Sequence, residues 1–240
     1  MRHVILAASL LLFGCGSSLQ IQKSIGANQF SLSYVHDSKP ISEKGSNNVY
    51  IEPIEFVNNI SDTLAVRPKG TFVLPLLLFN VWNYKYECSL GKNVLSENNE
   101  NFIKNSIATE VDRSGIFNIS SEPSNADYSL NIKVVENKCY GPYSQNGFFY
   151  FFLIAYGYGV SESAGPGISS VKWVYQLKKN DSTVICDSIM VAKEGSSIRT
   201  RAKDYAQLRR DFGNSMAEAL SNSYKECIEK TIAAINDKLK

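Results

Sequence analysis

Histidine is as scarce as any residue in this chain of 240, with two in the whole sequence. His3 lies in an apolar leader, which leaves His36 for the mature protein. Nucleophilic sets of the Ser-His-Asp or Cys-His kind need an imidazole held by the fold, and histidine-rich metal sites need several. Neither can be assembled from these residues. Phosphate loops are missing as well: Gly157-Tyr158-Gly159 and Gly165-Pro166-Gly167 have no following helix to offer an anion its amino terminus, and no Lys-Ser/Thr pair follows them. No two cysteines have CxxC spacing, which removes thioredoxin-type and zinc chemistry. The chain has no internal repeat, and no apolar run approaches the roughly 20 residues of a spanning helix. Lys+Arg 25 against Asp+Glu 23 gives a formal net charge of +2, which carries no footprint for nucleic acid. Only carboxylates remain for acid–base work, and no spacing rule identifies a pair among them. The expectation is a protein that is not an enzyme, with no cofactor, no metal and no nucleic-acid partner.

What is present begins at the amino terminus. Arg2 supplies a positive charge, Val4 to Phe13 form an apolar stretch too short to span a bilayer, and Gly14 precedes Cys15. The run Leu12-Phe13-Gly14-Cys15 resembles the lipobox of bacterial lipoproteins. That resemblance implies removal of residues 1–14, diacylation of the Cys15 sulfur and acylation of its new amino terminus. Two or more acyl chains hold a protein to a membrane stably, since each buried methylene contributes roughly 0.8 kcal/mol. Gly16, rather than Asp, follows the cysteine, which in Gram-negative lipoproteins implies an outer-membrane, lipid-anchored, periplasm-facing location. Residues 15–45 are rich in Ser, Gln, Asn, Gly and Lys, with one apolar patch from Phe30 to Tyr34, and read as a flexible tether. Residues 46–240 read as a single α+β domain.

Once Cys15 carries lipid, Cys88, Cys139, Cys186 and Cys227 remain. An even number in an exported protein suggests two disulfides with three possible pairings, against the alternative of free buried thiols. Cys88 with Cys139 and Cys186 with Cys227 is the preferred set. The first pair brackets two apolar segments. The second would join the closing helix to the strand it covers.

Asn48 to Val57 is rich in β-branched and aromatic residues and reads as a strand, with Pro53 at an edge or bulge. A helix is expected from Ser96 as N-cap, with Glu97 and Glu100 in its first turn, Ile103, Ile107 and Val111 on one face, Arg113 in its last turn and Gly115 at its end. Ile116 to Ile119 would be a short strand. From Asp127 to Val135, Tyr128, Leu130, Ile132 and Val134 alternate with polar residues, as a half-buried strand does. Val171 to Lys178 and Thr183 to Ala192 flank the polar turn Lys179-Asn180-Asp181-Ser182 and form a hairpin. Ser215 and Glu218 have capping-box spacing and open a helix to Lys238, striped by Met216, Leu220, Tyr224, Cys227 or Ile228, Thr231, Ile235 and Leu239. The expected architecture is one layer of two helices on one mainly antiparallel sheet.

Val49-Tyr50-Ile51-Glu52-Pro53-Ile54-Glu55-Phe56, then Ser114-Gly115-Ile116-Phe117, then Ala126-Asp127-Tyr128-Ser129-Leu130 resemble a set recurring in bacterial envelope lipoproteins, in which a helix ending SGxF precedes a strand opening ADYxL. The auxiliary lipoproteins of ABC-type transport systems and the curli-secretion channel lipoprotein are examples. The likeness covers about residues 48–136 and implies fold more than function.

Two segments exceed what such a domain needs. Insertions near 71–87 and 147–160 contain Phe72 to Trp82 and Phe148 to Val160, both apolar at successive positions. They can be read as central strands buried on both sides. They can equally be read as membrane-facing or partner-facing segments at one end of the domain, with Phe72, Leu76, Leu78, Trp82, Phe149, Tyr150, Phe151 and Tyr156 as contact residues and amphipathic rings at an interface. Pro75 argues against a central ladder. A barrel wall built from several subunits would alternate apolar and polar residues, and Phe148 to Ala155 does not. Arg199, Arg201, Lys203, Arg209 and Arg210 form a basic cluster in a loop marked by Ser196-Ser197. It could touch anionic lipid headgroups or an acidic partner, but Asp204 and Asp211 interleave with it, which favours a solvated face. Asn59-Ile60-Ser61, Asn118-Ile119-Ser120 and Asn180-Asp181-Ser182 match the glycan-acceptor pattern, which a bacterial lipoprotein need not use.

The functional expectation is a non-catalytic outer-membrane lipoprotein, an accessory or assembly component with an envelope protein partner. A carrier of lipid or another hydrophobic ligand is the first alternative, and a subunit of an oligomeric secretion pore the second. Replacing Cys15 by Ser is expected to abolish incorporation of labelled palmitate and to release the protein from the membrane fraction. Continued labelling of the Cys15→Ser protein would refute the assignment.

Overall fold

The computed structural model describes residues 18–37, 39–40, 44–76, 79–152, 154–198 and 204–240. Cys15, Leu78 and the basic residues Arg199, Arg201 and Lys203 lie outside the described residues. A helix α1 runs through 18–26. It is followed by β1 (Asn48–Ile51), β2 (Glu55–Phe56), β3 (Ala65–Leu76), β4 (Phe79–Ser89), α2 (Asn99–Ser114), β5 (Asn118–Ser120), β6 (Tyr128–Phe152), β7 (Ala155–Ala164), β8 (Ile168–Lys179), β9 (Ser182–Glu194) and α3 (Tyr205–Leu239). The nine strands form one sheet.

The α+β class expected from sequence stands, with two differences. The sheet is mixed, because β1 and β2 lie parallel to β6 and β1 parallel to β5. A parallel pair needs a crossover connection, and between β1 and β5 the chain runs through α2. The helices number three among the described residues rather than two.

β6 organises everything else. Its first half bonds to β1 and β2 on one side and to β8 on the other. Its second half bonds to β4 and β7. The inward alternation of Leu130, Ile132 and Val134 is reset by a bulge between Val134 and Glu136, after which Asn137, Cys139, Gly141 and Tyr143 face inward. The sequence stops this strand at Val135, where the alternation breaks. The break is the bulge, and the strand continues into the second apolar segment.

The final helix starts eleven residues earlier than its capping-box spacing suggests, at Tyr205, with the Asp204 carboxylate accepting from the N–H groups of Ala206 and Gln207. Ser215 and Glu218 instead fasten a neighbouring loop to the helix side. Ser215 Oγ donates to the Ser196 carbonyl at 2.8 Å and accepts from Gly167 N–H at 2.9 Å, while Glu218 accepts from Ser196 N–H and Oγ. The other helix starts at Asn99, capped by Asn98 rather than Ser96, and ends at Gly115 as its sequence indicates. The α3 stripe of Met216, Leu220, Tyr224, Cys227, Ile228, Thr231 and Ile235 is buried against β8, β9 and β6. Trp173 of β8 is fully enclosed and donates its indole N–H to Thr231 Oγ1 at 3.1 Å.

Residues 18–37 do not form a tether. Ile21, Ile25, Phe30 and Leu32 belong to the core. Gln22 donates to the Leu64 carbonyl at 2.7 Å, and Tyr34 and His36 both bond the buried carboxylate of Glu110. The polar composition of this stretch conceals core residues at helical spacing, Ile21 and Ile25, followed by an extended strap.

The four described cysteines are free thiols. Cys186 stands opposite Gln176 on the sheet face turned away from α3, and Cys227 lies on α3, so the sheet separates the pair expected to bond. Cys88 stands opposite Gly141, two positions from Cys139. Burial, assisted by neighbouring acids, pushes the thiols of Cys88 and Cys227 up to about 12. Burial alone drives Cys139 upward too. These thiols stay protonated and inert. A maleimide at neutral pH is therefore expected to label the folded domain at Cys186 alone and to reach Cys88, Cys139 and Cys227 after denaturation without reductant. A denatured protein with fewer labelled thiols would show that disulfides form.

Candidate functional site

The two apolar segments meet in one structure. β3 and β4 form one hairpin, the second half of β6 and β7 form another, and β4 pairs with β6, so the order is β3-β4-β6-β7, antiparallel throughout. Phe79 stands opposite Tyr150, Trp82 opposite Gly147 and Val73, and Phe151 opposite Tyr156. This four-stranded blade extends past the part of the sheet that pairs with β1, β2 and β8.

Directly paired residues of an antiparallel ladder share a face. One face therefore carries Val73, Trp82, Phe149, Phe151, Tyr156, Tyr158 and Val160, and the other carries Phe72, Leu74, Phe79, Val81, Phe148, Tyr150 and Phe152. Both faces are apolar, and both are exposed: Phe72 is 58% accessible, Phe151 50%, Tyr156 73%, Tyr158 75% and Ile154, at the turn, 100%. The reading as strands buried on both sides is thereby excluded. Of the sequence-predicted contact residues, Phe72, Trp82, Phe149, Tyr150, Phe151 and Tyr156 are brought together here. Leu76 ends β3 opposite Phe79.

Glycines make the blade thin. A Cβ on Gly147 would come within 2.1 Å of the Trp82 ring, one on Gly157 within 2.5 Å of Tyr150, and one on Gly159 within 2.5 Å of Phe148. The rings lie across the glycines of the neighbouring strand, and Phe148 and Tyr150 are stacked with 6.3 Å between centroids.

A buried charged network fixes the blade to the body. Arg209, on α3, donates from Nε to Glu162 Oε2 at 2.9 Å and from Nη2 to Oε1 at 2.5 Å. Tyr143 O–H and Gln145 also donate to Glu162. The Glu162 side chain is 2% exposed and Arg209 17%. Burial and the Glu162 carboxylate hold the Tyr143 phenol well above its usual range, so it remains a donor. Tyr205 O–H bonds the Val160 carbonyl, and Phe212 packs on Tyr143 at 5.5 Å between centroids. The sequence placed Arg209 in a solvated loop. Only the early start of α3 turns it toward the blade, and no motif marks that pairing.

A hollow of about 510 Å³ beside the blade base is lined by Lys69, Lys85, Tyr86, Glu87, Tyr140 and Pro142 among others, and it is open to solvent. Among the described residues no group of three or more His, Cys, Asp or Glu could hold a metal ion. No described helix is long and apolar enough to cross a membrane.

No family model matches the chain, and no curated protein matches it. Solved structures give distant likenesses. A Xanthomonas campestris protein of the family DUF330 is 12% identical, with 89% of this chain and 99% of that chain covered and a TM-score of 0.48. A hypothetical protein from Chlamydia trachomatis is 9% identical over 80% and 96%, with a TM-score of 0.38. A putative neuraminyllactose-binding hemagglutinin homolog from Helicobacter pylori is 12% identical over 88% and 97%, with a TM-score of 0.34. Likenesses this distant decide nothing about function.

Removing one member of a buried pair leaves the other charge stranded. Arg209→Met is expected to cost about 3 kcal/mol, the low end for buried pairs because Arg209 is partly exposed. A chain of this size should then melt roughly 6–12 °C lower. A thermal scan showing no change would mean that the network does not brace the blade.

Proposed function

We propose that this chain is a non-catalytic lipoprotein of the outer membrane, anchored through Cys15, that serves as an accessory or assembly component of an envelope complex and captures a protein partner with its blade. The observation that carries this reading is the exposure of both blade faces. Soluble monomers rarely expose contiguous apolar patches beyond a few hundred Å², and larger ones mark contact sites.

A protein partner suits the blade better than lipid alone. From Gly147 to Phe152 the apolar part extends roughly 20 Å, comparable to one leaflet of a hydrocarbon core about 30 Å thick. Its outer strands β3 and β7, however, each pair on one side only among the described residues. Each unpaired backbone group immersed in hydrocarbon costs several kcal/mol. A partner protein can cover the rings and satisfy the backbone together. A carrier would use these segments as cavity walls, whereas here side chains on both faces of the blade are exposed. A water-filled barrel needs one polar face on every strand, and here both faces are apolar.

Photo-crosslinking in cells from Tyr150 or Trp82 identifies the captured molecule. The double substitution Phe149→Ser with Phe151→Ser is expected to abolish capture while leaving the thermal transition nearly unchanged, because both side chains are exposed. Undiminished capture by the folded double variant would remove the basis for this function.

A further inference from the structure

The two margins of the blade are unlike each other. β3 carries Pro68 and Pro75, a register shift between Pro68 and Gly70, and Lys69. Proline in an edge strand puts its missing N–H on the outer side, and bulges and lysines are further means of blocking edge-to-edge pairing. β7 has no proline, no lysine or arginine and no register shift from Ala155 to Ala164. Because the Val160 carbonyl is reached by Tyr205, it points outward. By the alternation of the ladder, Tyr156 and Tyr158 also turn their N–H and C=O groups outward. Tyr205 occupies the margin at Val160, so the stretch left open among the described residues is Ala155-Tyr156-Gly157-Tyr158-Gly159.

That stretch is nearly palindromic about Gly157, which is what a twofold contact between identical surfaces requires. We propose that β7 pairs antiparallel with β7 of a second copy about an axis at Gly157, joining two blades edge to edge. Tyr156 then faces Tyr158 of the second copy, and the reverse, with both N–H···O bonds exchanged at each pair. The tyrosine rings, solvent-exposed in one copy, come together on one face. On the other face Ala155, Gly157 and Gly159 present at most a methyl group, and the Tyr150 and Phe148 rings of the same copy lie over Gly157 and Gly159, so no β7 side chain larger than a methyl stands between the two backbones there. Blocking of the β3 margin makes the assembly stop at two copies instead of extending as a fibre. This contact takes up the β7 margin and leaves the blade faces and the β3 margin to the captured partner.

Light scattering on the full-length acylated protein in a non-ionic detergent tests it. The wild type is expected to give twice the monomer mass over a micromolar concentration series. Tyr158→Pro, which deletes an outward N–H and spares the bonds to β6, is expected to give the monomer mass. If circular dichroism shows that this variant does not fold, paired charges decide. Tyr156→Lys with Tyr158→Lys sets like charges opposite each other and should give monomer, whereas Tyr156→Lys with Tyr158→Glu sets opposite charges together and should restore the dimer. A wild type that is monomeric throughout, a dimer unaffected by these substitutions, or an assembly larger than two overturns the proposal. Loss of crosslinking at Tyr150 with the dimer intact would count against the captured partner and not against the pairing.

Discussion

A single strand of 25 residues, β6, has to satisfy its backbone on both sides along its whole length, and the rest of the molecule is arranged by that demand. A buried backbone donor or acceptor left unpaired costs about as much as a lost hydrogen bond. β1, β2 and β8 meet the demand in the inner half and β4 and β7 in the outer half. Among the described residues, α3 lies mainly across β8, β9 and β6 and reaches the blade only at its root. The outer half is therefore a sheet in which β6 is paired on both sides but which has no covering layer among the described residues. Its side chains are left for something else to bury.

The junction between the halves is where polar chemistry concentrates. Glu162, Arg209, Tyr143 and Gln145 form a closed set of charge-assisted bonds under the first turns of α3. Such a set contributes orientation more than net stability, because desolvating both ions offsets much of their attraction. A blade without a covering layer needs orientation. Arg209 and Phe212 hold its root, and Tyr205 holds its β7 margin, against one rigid helix.

The sequence was legible where periodicity was simple. The β8–β9 hairpin, the α3 stripe and the end of α2 at Gly115 all follow local rules. Where it misled, tertiary contacts had taken over local devices. Ser215 and Glu218 look like a helix start, yet they serve a loop. Ile21 and Ile25 are too few to mark a helix within a polar stretch, yet both are fully buried. The apolar character of the blade residues was evident, but their joining into one four-stranded unit was not, because it depends on β6 running on past its bulge. The separation of Cys186 from Cys227 was equally out of reach, since sequence does not show which face of a hairpin a helix will cover.

That bulge between Val134 and Glu136 also sets how the gene can change. Losing the extra residue at the bulge would turn Cys139, Gly141 and Tyr143 to the wrong side, and with them the anchor for Glu162 and Arg209. Beyond Gly147 the same slip exchanges one apolar face for another. The outer reach of β6 can therefore drift in length and in side-chain order over evolutionary time, while the few residues around the bulge are held to a fixed count.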